Sequence, residues 1–215
     1  MPVEAIFGIL LGKLKDKFPN HIKLPITNIP EEIRKQDPQF RFQVHYRLVS
    51  DLFSVGIGPN VISLGHTGHY VGWGEWFRMI KEVLTEIDEL NIYEKISRVG
   101  LRYINFFQLD NLFDNIDANL TIADLATDND KTSIRTNVEA GEFEAVINIV
   151  GKANVAGSAM SGTGSIIDID VSLEGEKINP DDLFRLIENA HLEEKNVFYK
   201  IMKSEYIATL NPEYS

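Results

Sequence analysis

The chain is expected to be an α+β protein: a mostly antiparallel, curved sheet with two long helices packed on one face. Three observations predict this. Apolar–polar alternation recurs between residues 40 and 173, in segments joined by turns too short for parallel crossovers. Two stretches, one from Trp73 and one from Pro180, instead place apolar residues at three- and four-residue spacing. Finally, the order of strand, further strands and helix occurs twice. That order suggests pseudo-duplicated ββββα halves, approximately 1–95 and 96–215, within a single domain spanning 1–215. Identity between the halves is too low to register as a sequence repeat, so the duplication rests on element order.

The apolar run in residues 3–11 (VEAIFGILL) is expected as a buried strand. Prolines at 19, 25, 30 and 38 remove backbone donors and restrict their predecessors. Residues 15–38 therefore read as an extended surface segment with one helical turn at Glu31–Lys35. Phe40, Phe42, Val44, Tyr46 and Leu48 then alternate with Arg41, Gln43, His45 and Arg47, the pattern of a half-buried strand with a basic outer face. Ser50-Asp51 permits a turn into 52–58, and Pro59-Asn60 suits the centre of a β-turn into 61–65, completing an antiparallel meander. The first long helix follows, with Trp73, Trp76, Phe77, Ile80, Leu84, Ile87 and Leu90 on one side.

Residues 96–109 are apolar on both faces, which suggests a central strand. A further strand is expected at 118–123. Residues 133–139 and 142–150 form a hairpin through Ala140-Gly141, with Phe143, Ala145, Ile147 and Ile149 inward. The Gly/Ser/Ala stretch 151–165 reads as a flexible connection into 166–173, where Asp168 and Asp170 lie opposite Ile167, Ile169, Val171 and Leu173. Asn179-Pro180-Asp181-Asp182 supplies a cap, a first-turn proline and acids at the positive helix end. The helix it starts is expected to run to about 207, with an irregularity at Glu193–Glu194.

Bulk properties exclude several function classes. At 215 residues, with 44% hydrophobic and 25% charged residues, the chain supports a substantial core. Its net charge of −11 argues against nucleic acid as a partner, because phosphate binding depends on Lys and Arg. It has no cysteine, which removes disulfides, Cys-type zinc sites, iron–sulfur clusters and thiol nucleophiles. The apolar run Ala5–Leu11 follows Glu4, lacks a basic start and is too short to span a bilayer. A cytoplasmic protein without a membrane partner or cofactor is the expectation.

Few residues suggest chemistry. His66 and His69, in GHTGHYVGW, are metal candidates only if a third ligand reaches them. No carboxylate follows before Glu75, and the glycines favour reading the pair as part of a turn. Residues 151–165 lack the phosphate-loop pattern and lead into a strand. Asp168 and Asp170, with Glu142 and Glu144, form either a divalent-metal or acid–base cluster, or a solvated charged face. Arg102 and Asn105 sit in an otherwise apolar strand and need partners. Arg102 suits a carboxylate or phosphate ligand, or a structural acid such as Asp168. His191 shares a helical stripe with Phe184, Ile187 and Phe198 and is expected to face the sheet.

Pro2-Val3-Glu4, Tyr70-x-Gly72-Trp73, Leu101-Arg102-Tyr103-Ile104-Asn105, and Ala190-His191 followed by Phe198 carry a resemblance across nearly the whole chain. By these motifs the chain resembles a sporadically distributed family of uncharacterised bacterial and archaeal proteins. The resemblance implies one domain with no agreed activity or cofactor, and directs attention to Tyr70, Trp73, Arg102, Tyr103, Asn105 and His191. The family pattern has no counterpart to His66 and His69.

Two function classes follow. The preferred one is a non-catalytic interaction or regulatory module, immunity- or antitoxin-like, whose partner is a protein (itself or another) met through long strand edges. The alternative is a small-ligand-binding protein or enzyme with a pocket between sheet and helices. There Arg102 would orient a small anionic group, His191 would serve as acid or base, and Tyr103 or Asn105 would donate hydrogen bonds. That pocket is expected beneath the helix that starts at Trp73.

Overall fold

Val3, Ile6, Leu10 and Leu14 are buried at steps of three and four, the period of a helix, and the segment forms α1 (Val3–Leu14). This corrects the strand expected at 3–11: a continuous apolar run is compatible with either element until burial shows one stripe. The computed structural model describes all residues except 67–69, 119, 124, 126, 158–160 and 211–215. The fold is α+β, with two antiparallel sheets of four strands each. Internal contacts separate the chain into two compact units, Met1–Glu94 and Lys95–Ser215. The strands thus divide between two sheets, because backbone pairing closes within each unit.

In the first unit the sheet order is β1 (Asn20–Lys23), β2 (Tyr46–Val49), β3 (Phe53–Gly58), β4 (Val61–His66). β1 falls within the stretch expected to be irregular. The short helix α2 (Glu31–Gln36) matches the helical turn expected there. The alternating run from Phe40 becomes a strand only at Tyr46, and Phe42 is exposed. Its outer face is not uniformly basic. His45 is 2% exposed and accepts from Arg34 Nη1, which lies 2.9 Å from Nδ1 and 3.1 Å from Nε2. The antiparallel meander β2–β3–β4 is as expected. Helix α3 (Trp73–Asp88) starts after Gly72, whose φ of +86° suits glycine. It buries Trp76, Phe77, Ile80, Val83 and Ile87. Leu10, Leu48, Val55, Ile57 and Val83 are fully enclosed and form the centre of this core.

The second unit has the sheet order β5 (Ile96–Phe107), β8 (Ser161–Ile178), β7 (Phe143–Ala156), β6 (Ser133–Ala140). β5 is therefore an edge strand, not a central one. Its double-sided apolar pattern arises because Phe106 packs over Gly164 on β8, while Ile104 stays 45% exposed. The described residues of 118–123 form no strand; Ile122 and Ile116 make isolated bridges to Leu125 and Met202. The stretch expected as a flexible connection is largely ladder. Beyond a bulge at Val150/Ala153, pairing continues from Ala153↔Gly164 to Ala156↔Ser161. Small residues permit this. A Cβ on Gly151 would lie 1.8 Å from the Asn129 carbonyl oxygen, and Ser165 Oγ donates to the Gly151 carbonyl at 2.6 Å.

Asn179 caps the turn Pro180–Asp182 by accepting from the Asp181 N–H, and α4 (Leu183–Ile201) follows. The helix is continuous through Glu193–Glu194. It breaks instead at Met202, where the Asp117 N–H donates to the Ile201 carbonyl and the Lys203 N–H donates to the Asn115 carbonyl. α5 (Ser204–Thr209) completes the described chain. α4 packs against β5 and β8, over Ala145, Ile147, Ile149, Ile167, Ile169 and Val171. Both units contain the element order ββββα. The first pairs its strands in sequence, whereas the second places β5 beside β8.

Candidate functional site

Alternation along β5 decides where its polar residues go. Successive side chains point to opposite sheet faces, so Arg98, Gly100, Arg102 and Ile104 share one face, and Val99, Leu101, Tyr103 and Asn105 the other.

On the first face Arg102 meets Asp168 in a two-pronged ion pair: Nε to Oδ1 at 2.7 Å and Nη2 to Oδ2 at 2.8 Å. Asp168 is 7% exposed, and a carboxylate so enclosed needs this partner. Asn148 Nδ2 donates to Asp168 Oδ2 at 3.2 Å, and Arg135 Nη1 donates to Asn148 Oδ1 at 2.8 Å. One side chain from each of β6, β7, β8 and β5 thus joins a chain of hydrogen bonds across the sheet. Beside it, Arg98 Nη2 bonds to Asp170 at 3.0 Å, and its guanidinium lies over Gly100, where a Cβ would come within 2.8 Å of Nη1. The hydrogen bond to Asp168 raises the Arg102 pKa further, so this guanidinium stays charged.

On the opposite face, beneath α4, Tyr103 Oη lies 3.5 Å from His191 Nδ1, with ring centroids 5.9 Å apart. His191 and Glu194, three residues apart on α4, are only 8% and 5% exposed. Burial depresses the His191 pKa to about 4, with the nearby Lys195 acting in the same direction. Burial pushes the Glu194 carboxyl up to about 7, only partly offset by Lys195. Burial thus works against the charged form of both groups. Asn105 Nδ2 is 3.5 Å from the carbonyl of Ile167, its cross-strand neighbour, a contact at the limit of a hydrogen bond.

The structure thus brings Tyr103 and His191 together but sends Arg102 to the other side of the sheet. These residues also belong to the unit that contains α4, while the helix expected above them, α3, belongs to the other. Two hollows in the second unit lie elsewhere. One, of about 160 Å³, is lined by Gly151, Lys152, Gly164 and Ser165, and its lysine bonds to Asp130 at 2.6 Å. The other, of about 640 Å³, is lined by Asp114, Asn115, Asp117 and Lys203–Tyr206. Neither includes Arg102, Tyr103, Asn105 or His191.

His66 sits on β4 among aromatic rings: Phe53 at 5.3 Å, Trp76 at 6.3 Å and Tyr70 at 6.3 Å between centroids. His69 lies outside the described residues. Among the described residues, no group of three His, Asp or Glu side chains is placed to hold a metal. Sequence reasoning missed Glu194, Asn148 and the Arg34–His45 contact. The signal for Glu194 is an acid three residues from His191 on the apolar stripe, within the Glu193–Glu194 irregularity expected from the sequence. Comparison with protein-family models, with curated proteins and with solved structures finds no match to this chain.

Proposed function

We propose that the chain is a non-catalytic interaction module, regulatory in the manner of an immunity protein or antitoxin, that works by recognising protein through its surface. One observation supports this most strongly. The alternation of β5 puts Arg102 and His191 on opposite faces of one sheet, so they cannot together hold a small anionic ligand. Arg102 is moreover already satisfied by Asp168, and His191 favours its neutral form. What the second unit presents instead is two end strands, β5 and β6, with apolar Ile104 and Val138 exposed on them, an arrangement suited to strand addition.

A thermal-shift panel of metal ions, nucleotides and metabolites, run on the wild type beside Arg102→Ala and His191→Ala, tests this reading. Ligands that bind only the folded state raise its melting temperature. The expected outcome is no compound whose effect depends on both residues. A compound that stabilises the wild type and loses its effect in both variants would reinstate the small-ligand alternative.

A further inference from the structure

β6 ends the second sheet, and residues 135–139 along it are all exposed. Proteins ordinarily blunt such an edge with proline, a bulge or charged side chains, lysine above all. β6, Ser133–Ala140 (SIRTNVEA), has no proline or lysine, its two charges, Arg135 and Glu139, are opposite in sign, and it pairs with β7 without a register shift. Arg135, Asn137 and Glu139 share the face that carries the Arg102–Asp168 network. Arg135 bonds to Asn148 at 2.8 Å, and the Asn137 amide donates to Glu144. Glu139 lies directly opposite Glu144 in the ladder, an unfavourable like-charge pair, and makes no ion pair among the described residues.

Two copies pairing antiparallel about a two-fold axis normal to the sheet must oppose residues of the same face. That restricts the register. Centring on Thr136 sets Arg135 against Asn137 and Glu139 against Ser133. Centring on Val138 sets Glu139 against Asn137. Only centring on Asn137 sets Arg135 of one copy against Glu139 of the other, and symmetry makes that pair twice. Thr136 then meets Val138 on the other face. The competing edges are less suited. β1 has only 4 residues, β4 (VISLGH) has no acid–base pair, and the β5 cations Arg98 and Arg102 are committed to Asp170 and Asp168.

We propose that the chain forms a homodimer by antiparallel pairing of β6 with β6 of a second copy, centred on Asn137 and locked by two Arg135–Glu139 pairs. This deepens the interaction reading, on which it rests, by naming the partner.

The chain has no cysteine, so single thiols report the register directly. Opposed Cα atoms in an antiparallel pair are about 4.5–5.5 Å apart, within the reach of a disulfide. At Ser133 the two copies would be about 26 Å apart along the strand. Under mild oxidation Asn137→Cys is expected to convert to covalent dimer while Ser133→Cys stays monomeric. In sedimentation equilibrium the wild type is expected to dimerise, and Arg135→Glu to raise the dissociation constant at least about tenfold. Arg135→Glu combined with Glu139→Arg is expected to restore it to within about threefold. Circular dichroism on each variant separates lost pairing from lost fold, and the thiol pair decides the register even if a charge variant misfolds. A wild type that stays monomeric at roughly 100 μM overturns the dimer. So does equal crosslinking at positions 133 and 137. Either result leaves the interaction reading to the ligand panel, whose failure would in turn leave the dimer to be decided by crosslinking.

Discussion

His191 and Glu194 occupy one turn of α4 with pKa values displaced in opposite directions, so their contributions to stability oppose each other. The Glu194 carboxyl is raised from 4.5 to about 7 in the folded state. The folded chain then holds a proton that the unfolded chain has released, and the stability this contributes is present below about 4.5 and lost as pH rises through about 7. His191 is lowered from 6.5 to about 4, so its contribution is present above 6.5 and lost as pH falls through about 4. Across 4.5–6.5 the two slopes oppose. Relative to wild type, His191→Gln should lose stability as pH rises through this window, and Glu194→Gln should lose it as pH falls. Urea denaturation at several pH values measures both. Identical pH profiles for all three proteins would mean that neither group is buried as described. At this scale the sequence disclosed some residues and hid others. Arg102, isolated in an apolar strand, announced its need for an anionic partner, but a ligand and a structural acid such as Asp168 were equally compatible until the β5–β8 pairing set Asp168 beside it. Glu194 was hidden because an acid on an apolar helical stripe looks like a break in the stripe.

Among the elements, α3 and α4 were legible because their apolar residues recur with helical period over several turns, and the meander because its turns are short. β1 (NHIK) has no alternation of its own, and its extended backbone is held by pairing with β2. Residues 3–11 suggest a strand because 5–11 are continuously apolar and Gly8 and Gly12 weaken the helical signal of α1. Its helical state makes a specific prediction. A Cβ at Gly8 or Gly12 would meet nothing within 4 Å, so Gly8→Ala and Gly12→Ala should each stabilise the protein by about 0.5–1 kcal/mol. Leu10→Ala should cost about 2–5 kcal/mol, since Leu10 is 0% exposed. Thermal or urea unfolding checks all three, and destabilisation by both alanine-for-glycine changes would count against the helix.

Across the whole molecule, the α+β class and the repeated ββββα order were readable from periodicity, whereas strand partnership was not. Nothing local to residues 96–107 says that they pair with residues 165–178, because that choice is made by closing a long loop onto β8. The same choice determines the functional reading, since it gives Arg102 to Asp168 on one face and leaves His191 with Tyr103 on the other. Among the described residues no helix is long and apolar enough to cross a membrane. The proposed protein-binding surface requires that Arg102 and His191 act independently. Paired double-mutant cycles on unfolding free energy test this most directly, one for Arg102→Ala with Asp168→Ala and one for Arg102→Ala with His191→Ala. Coupling of about 1 kcal/mol or more is expected in the first, and additivity within about 0.5 kcal/mol in the second. Coupling between Arg102 and His191 as large as that between Arg102 and Asp168 would contradict it.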